Sequence, residues 1–177
     1  PFDDFHIIAG QGTVGLEIVE DLAAARLAPD TVLIPCGGGG LTAGCALAIH
    51  DRAPSASIHM VEPEGFDDQA RSLGAGERLS NDRTSGSICD GLLSPMPGEL
   101  TFAINRNHVA GGLAVSDAEV REAVAFAFRE LKLVVEPSGA VALAALLSGR
   151  IDVRGQTVAI VLTGGNVDAG LFAEMIG

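Results

Sequence analysis

Short apolar runs alternate with longer segments of helical spacing, and the alternation repeats along the whole chain. Residues 6–9, His6-Ile7-Ile8-Ala9, read as a short buried strand; Gly10-Gln11-Gly12-Thr13 reads as the turn after it. Thr13 then caps a helix running to about Ala25. Residues 31–35 form an apolar strand, and residues 41–51 an alanine-rich helix that ends before Pro54. A strand follows at 57–61, then Glu62-Pro63. Residues 109–115 are a strand, and Ser116-Asp117-Ala118-Glu119 is a capping box for a helix reaching about Lys132. A helix at 138–147, a strand at 157–162, a turn at 163–166 and a last helix at 169–175 complete the pattern.

Repeated strand–helix units predict an α/β fold: three layers, a mostly parallel sheet, helices on both faces. At 177 residues this is a single domain, and no internal repeat or low-complexity linker divides it. Residues 74–98 carry many Gly, Ser and Pro and little periodicity, so they read as a long loop over the sheet edge or a site. Ligands of such sheets sit at the carboxyl ends of strands. Two glycine turns, at 37–40 and 164–165, fall at such ends.

The first of these is the most informative feature of the chain. Gly37, Gly38, Gly39 and Gly40 stand between an apolar strand and a helix start. Without side chains, peptide N–H groups can approach an anion closely. The helix start adds unpaired donors and about half a positive charge. A tight connection with no ligand is the plain alternative. No Gly-Lys-Ser/Thr follows, so this is not a nucleotide-triphosphate loop, and the spacing of a dinucleotide fingerprint is missing. A single phosphate monoester fits the loop best.

Composition narrows the partners. Hydrophobic residues make up 47% and mean hydropathy is +0.35, enough for a sizeable core. The net charge of −12 argues against nucleic acid and against an acidic membrane surface. The longest apolar stretch, 133–147, is interrupted by Glu136 and Pro137, so no membrane span is expected. Three cysteines without a CxxC pair read as buried or free thiols of a reducing, cytoplasmic protein. The start carries neither Met nor a basic leader and reads as the middle of a longer protein. His6, His50, His59 and His108 show no ligand spacing and read as structural or surface residues.

Ordered motifs carry a resemblance. Gly10 to Glu17 (GQGTVGLE), Gly37 to Leu41, Val61-Glu62-Pro63, Glu136 to Ala140 (EPSGA) and Leu162 to Asn166 (LTGGN) occur in this order in the threonine/serine dehydratases. Serine racemase belongs to the same group, all pyridoxal-phosphate enzymes of the tryptophan-synthase-β type. The resemblance covers essentially the whole chain. It implies that Gly37, Gly38, Gly39, Gly40 and the Leu41 amide hold the cofactor phosphate. It implies that Gly91 lines the cofactor ring and that the Thr163 hydroxyl meets the pyridine nitrogen. A neutral hydroxyl there cannot hold the pyridinium protonated as an aspartate would, and the weaker electron sink suits elimination. For Thr163 the alternative is a strand-end residue bonding its own turn. Glu136 reads either as a group at the cofactor face or as a helix cap.

The resemblance also implies a divalent cation, Mg²⁺ or Ca²⁺, held by Glu62, the Phe66 carbonyl and Asp68 with water completing the shell. A solvated acidic turn capping the next helix is the alternative. Two elements that the resemblance implies are missing. Lys132 is the only lysine, and it reads as an end charge favoured by a helix dipole. The lysine that anchors the cofactor in such enzymes belongs to an earlier Ser-x-Lys-x-Arg-type motif, and the loop gripping the substrate carboxylate is missing as well. The chain is therefore expected to be the C-terminal part of the large cofactor-binding domain, with no catalytic lysine of its own. The implied full protein is a homo-oligomer acting on a small hydroxy-amino acid and giving a 2-keto acid. A serine racemase, or a non-catalytic remnant binding a phosphorylated small molecule, are the other readings.

Overall fold

Val32 and Ile34 point to one side of a strand while Leu33 points to the other, and all of them are fully buried. A strand covered on both faces needs helices on both faces. The computed structural model, which describes residues 2–177, shows that arrangement. Strand β1 (Thr31–Pro35) lies between β2 (Ser57–Pro63) and β4 (Val158–Ile160), and β3 (Gly111–Val115) lies beyond β2. The order is β3-β2-β1-β4 and every pairing is parallel. Val32, Ile34 and Ile58 pack with Val19, Cys45 and Ile49 from α1 (Phe5–Ala24) and α2 (Gly40–Arg52). Leu33, Val61 and Val115 pack with α5 (Asp117–Phe126), α6 (Pro137–Leu147) and α7 (Ala169–Ile176). Two further helices, α3 (Asp68–Ala75) and α4 (Glu99–His108), lie against β3 and α2 respectively. No helix among the described residues is long and apolar enough to cross a membrane.

Most expected elements appear within a few residues. The capping box forms: Ser116 Oγ accepts from the Glu119 amide, and the Glu119 carboxylate accepts from the Ser116 amide at 2.7 Å. The helix it starts continues through a wider π turn, Ala127–Leu131, and stops at Lys132 in the left-handed region with φ 63°. There the ammonium donates to the Arg129 carbonyl, so Lys132 is an exposed end charge, as its position after an amphipathic helix implies.

The N-terminal reading is corrected. Residues 6–9 are not a strand and Gly10 to Thr13 is not a turn; both lie inside α1. Asp4 is the cap, accepting from the His6 amide at 2.8 Å and the Ile7 amide at 3.2 Å. Thr13 is mid-helix, its hydroxyl donating to the Gly10 carbonyl. The glycines serve helix packing instead. Ile8, Gly12, Gly15 and Val19 form one buried stripe at helical spacing. A Cβ on Gly12 would stand 3.1 Å from the Gly44 carbonyl oxygen, and one on Gly15 would stand 2.8 Å from that of Cys45. Glycine weakens a helix by about 1 kcal/mol, and here close contact between α1 and α2 offsets that loss.

This seam is testable. A methyl group at Gly44 would strike backbone of α1, coming within 2.6 Å of the Gly12 amide nitrogen, whereas at Gly10 it meets nothing within 4 Å. Gly44→Ala is expected to destabilise by about 1–3 kcal/mol in urea unfolding. Gly10→Ala is expected to be neutral or to stabilise by up to about 1 kcal/mol. Equal effects of the two changes would contradict the close crossing.

Candidate functional site

The carboxyl ends of β1 and β4 open onto one cavity of about 400 Å³, a size that suits a small ligand. Gly37, Gly38, Gly39, Gly40, Leu41, Gly91 and Thr163, far apart in the sequence, all lie on its wall. The cavity has no lysine or arginine on that wall. Among the described residues, an anion on this wall would meet neutral groups.

The neutral groups are peptide amides. Among the described residues, the N–H groups of residues 37–42 find no acceptor, whereas Cys36 bonds the Val61 carbonyl and Ala43 bonds the Gly39 carbonyl. Buried amides are nearly always paired, so a run of free ones marks a place for a ligand or for water. Gly39 has φ 93°, a conformation that glycine takes without strain. It turns the chain into α2, whose thirteen residues align their dipoles on the same point.

The rest of the wall is set by close approaches. The loop carrying Gly91 crosses Gly37 so tightly that a Cβ there would stand 3.3 Å from Leu92 Cα. The Gly91 amide donates to the buried hydroxyl of Ser138 at 2.9 Å. The next residue, Gly139, lies so near the Thr163 carbonyl that no side chain would fit. The Thr163 amide donates to the Gly139 carbonyl at 3.3 Å. The EPSGA motif is thus a clamp at the start of α6: Ser138 ties down one wall and Gly139 admits the other. Among the described residues, nothing bonds the Thr163 hydroxyl, which is not spent on its own turn. Glu136 is the residue before α6 but does not cap it with its side chain; its carboxylate lies beside Gly164.

Sequence reasoning missed several contributors. Phe2, Ile7 and Gln11 line the mouth, and the Phe2 ring lies against Gly38. Asp3 accepts the amides of Glu99, Leu100 and Thr101 at 2.9, 2.9 and 3.0 Å, capping α4 in place of Gly98, which has no side chain to do so. Behind the loop, Gln69, Thr101 and Asn105 are fully buried and point donors at it. A polar residue spaced into a helix gives no sequence sign of such a role; only its burial does.

Of the expected cation ligands, Glu62 and Asp68 are near enough to act on each other's charge, and neither lines the cavity. Both oxygens of buried Glu62 accept α3 amides, from Gln69 at 3.0 Å and Ala70 at 2.9 Å. Burial pushes its carboxyl well above the usual range, and those amides only partly oppose the shift. Asp68, also buried, accepts from Asn81 at 2.7 Å through Oδ1, while its Oδ2 has no partner among the described residues. Burial raises its pKa to about 6. Phe66 is fully buried, with the Arg83 guanidinium 5.0 Å from its ring centre. Among the described residues, no group of three His, Cys, Asp or Glu side chains converges. Cys36, Cys45 and Cys89 are free and buried, and burial lifts the latter two to about 12, so none is a ready nucleophile. Of the histidines, His50 and His108 face each other with Nδ1 atoms 3.2 Å apart across α2 and α4. None lines the cavity.

Comparison with known proteins places this geometry. Residues 1–164 match a family described as pyridoxal-phosphate dependent enzyme. The chain is 39% identical to the L-threonine ammonia-lyase of Thermotoga maritima over 99% of its own length and 42% of that protein's. The solved structure of a threonine deaminase from T.th. superposes with a TM-score of 0.90 at 44% identity, covering 95% of this chain and 56% of that one. Serine racemase from Dictyostelium discoideum superposes at 0.86 with 35% identity, covering 95% and 52%. The chain spans about half the length of the relatives it matches.

Inorganic phosphate titrated into isotope-labelled protein is expected to shift the amide resonances of residues 37–42 before any others. In Gly39→Ala, the added Cβ would stand 2.7 Å from the Gln69 carboxamide nitrogen and 2.8 Å from that of Asn105, in a left-handed backbone. That variant is expected to lose the response. Phosphate shifts spread over the surface instead would dismiss the loop as an anion site.

Proposed function

We propose, on the premise that this chain belongs to the pyridoxal-phosphate-dependent enzyme family, that it is the cofactor-holding part of a threonine or serine dehydratase. Such an enzyme is an ammonia-lyase that turns a hydroxy-amino acid into a 2-keto acid. The run of free amides from Gly37 to Thr42, facing a cavity that also receives Thr163, is the observation that carries this reading.

The residues present fit the cofactor. When bound, pyridoxal phosphate supplies an electron-withdrawing ring that eases loss of the proton beside an amino acid's carboxylate. The amides of Gly37, Gly38, Gly39, Gly40 and Leu41 would hold its phosphate without a cationic side chain. Gly91, fixed by Ser138, leaves room for a flat ring. Thr163 would meet the ring nitrogen with a hydroxyl, leaving that nitrogen without a carboxylate to keep it protonated. The apolar groups at the mouth, Ile7 and Leu92, limit water around the bound ring.

Proton transfer is not among the tasks these residues can do. The single lysine, Lys132, is exposed and absent from the cavity wall. We therefore read this chain as the C-terminal part of the large cofactor-binding domain. The similarity to serine racemase supports a second reading in which the full protein racemises serine. Both readings make the same demands on the cavity.

A divalent cation, Mg²⁺ or Ca²⁺, forms part of the proposal. The partnerless, buried Asp68 Oδ2 supports it, with Glu62 and the Phe66 carbonyl as the further oxygen donors that the family resemblance implies.

Two experiments test this section. Pyridoxal phosphate is expected to raise the melting temperature, leave no borohydride-stable adduct on Lys132, and give no 2-keto acid from L-threonine. A Lys132 adduct with turnover would overturn the assignment of roles, and absence of binding at millimolar cofactor would overturn the site. Millimolar Mg²⁺ or Ca²⁺ is expected to raise the melting temperature in wild type and not in Asp68→Asn. No rise in wild type refutes the cation.

A further inference from the structure

The back of the glycine loop is as ordered as its front is free. The Gly37 carbonyl accepts from Gln69 Nε2 at 3.2 Å, the Gly38 carbonyl from Thr101 Oγ1 at 2.7 Å, and the Gly39 carbonyl from Asn105 Nδ2 at 3.4 Å. These donors come from two helices, α3 and α4, and none is exposed to solvent. Thr101 and Asn105 are one helical turn apart, so they share a face of α4.

Peptide geometry gives this row a consequence. In a trans peptide the carbonyl of one residue and the N–H of the next point in opposite directions, and no peptide bond among the described residues is cis. A carbonyl tied backward therefore aims the following amide forward. Gln69 sets the amide of Gly38 and Thr101 that of Gly39; the Gly39 carbonyl is already held by the Ala43 amide of α2 at 2.9 Å, and Asn105 adds a second donor to it. Glycine's wide conformational freedom leaves these planes free to turn, so the two that no helix ladder holds are fixed by contacts from outside.

A second observation supports this. Gln69 Oε1 and Asn105 Oδ1 are buried and without partners among the described residues. Unpaired buried oxygens lower stability. A fold that needed only packing here would do better with Leu or Met at both positions. What the carboxamides supply is the N–H donors on the loop.

We propose that Gln69 and Thr101 are positioning residues of the phosphate cradle, each aiming the amide one peptide ahead of the carbonyl it holds, while Asn105 reinforces the carbonyl from which α2 starts. The proposal rests on the reading of residues 37–42 as that cradle. Pre-set donors lose little entropy on binding, so affinity for phosphate is the quantity that depends on them.

The test follows amide resonances of labelled protein during titration with inorganic phosphate. Wild type is compared with Thr101→Val, which keeps shape and loses the donor, with Thr101→Ser, which keeps the donor, and with Gln69→Met. Thr101→Val and Gln69→Met are each expected to bind phosphate about tenfold more weakly, the loss of roughly one hydrogen bond's worth of aim. Thr101→Ser is expected to remain within about threefold of wild type. The pattern among residues separates positioning from mere support. Thr101→Val is expected to blunt the phosphate shift of Gly39 while Gly38 and Gly40 still respond, and Gln69→Met to blunt that of Gly38. Uniform blunting in both variants, or wild-type affinity in both, overturns the proposal while leaving the cradle in place. A wild type whose residues 37–42 ignore phosphate removes the cradle, and the proposal with it. Should Thr101→Val fail to fold, Gln69→Met on the other helix carries the same residue-specific expectation.

Discussion

Everything at this site depends on peptide amides that the fold leaves without acceptors. A protein interior rarely tolerates such groups, because each one gives up water and gains nothing. Here they are gathered between Gly37 and Thr42, where the strand has ended and the helix has not yet begun to pair its own amides. The sheet holds the loop from below through Cys36, whose amide bonds Val61. Helix α2 continues it, and α3 and α4 fasten its carbonyls. Free donors facing a cavity are tolerable when the walls around them are otherwise held. The clamp made by Ser138 and Gly139 does this on the opposite wall.

The electrostatics are local. A chain with net charge −12 would repel a dianion at long range. Oriented amides and a helix terminus act within a few ångströms, and their field does not depend on the overall charge. Among the described residues, no cationic side chain sits on the cavity wall. Two buried carboxylates, Glu62 and Asp68, are off the cavity wall, and Glu62 accepts two amides of α3.

Much of this was legible in the residues. The alternation of apolar runs with helical spacing revealed the parallel sheet because its central strand is covered on both faces. Gly37, Gly91 and Thr163 could be assigned to one place only through family resemblance, since nothing local links residues so far apart. The α1 error has a physical cause. Ile7-Ile8 followed by glycines fits a buried strand as well as a helix, and a glycine that admits a neighbouring helix looks the same as one that turns the chain. The spacing of Ile8, Gly12, Gly15 and Val19 was the discriminating signal, together with Asp4 as a cap. Helix α4 was overlooked because its cap is Asp3, supplied from the far end of the sequence, and its own first residue follows a glycine.

The sequence by itself determined local matters: which segments alternate between strand and helix, apart from α1 and α4, where side chains are absent, and that Lys132 is the one lysine of the chain. Those follow from short-range sterics and from hydrophobic periodicity. Tertiary structure alone decided that the loop amides find no acceptor among the described residues and that Gln69, Thr101 and Asn105 fasten the carbonyls behind them. Direction is a property of peptide planes, and a glycine's plane is set by whatever packs against it.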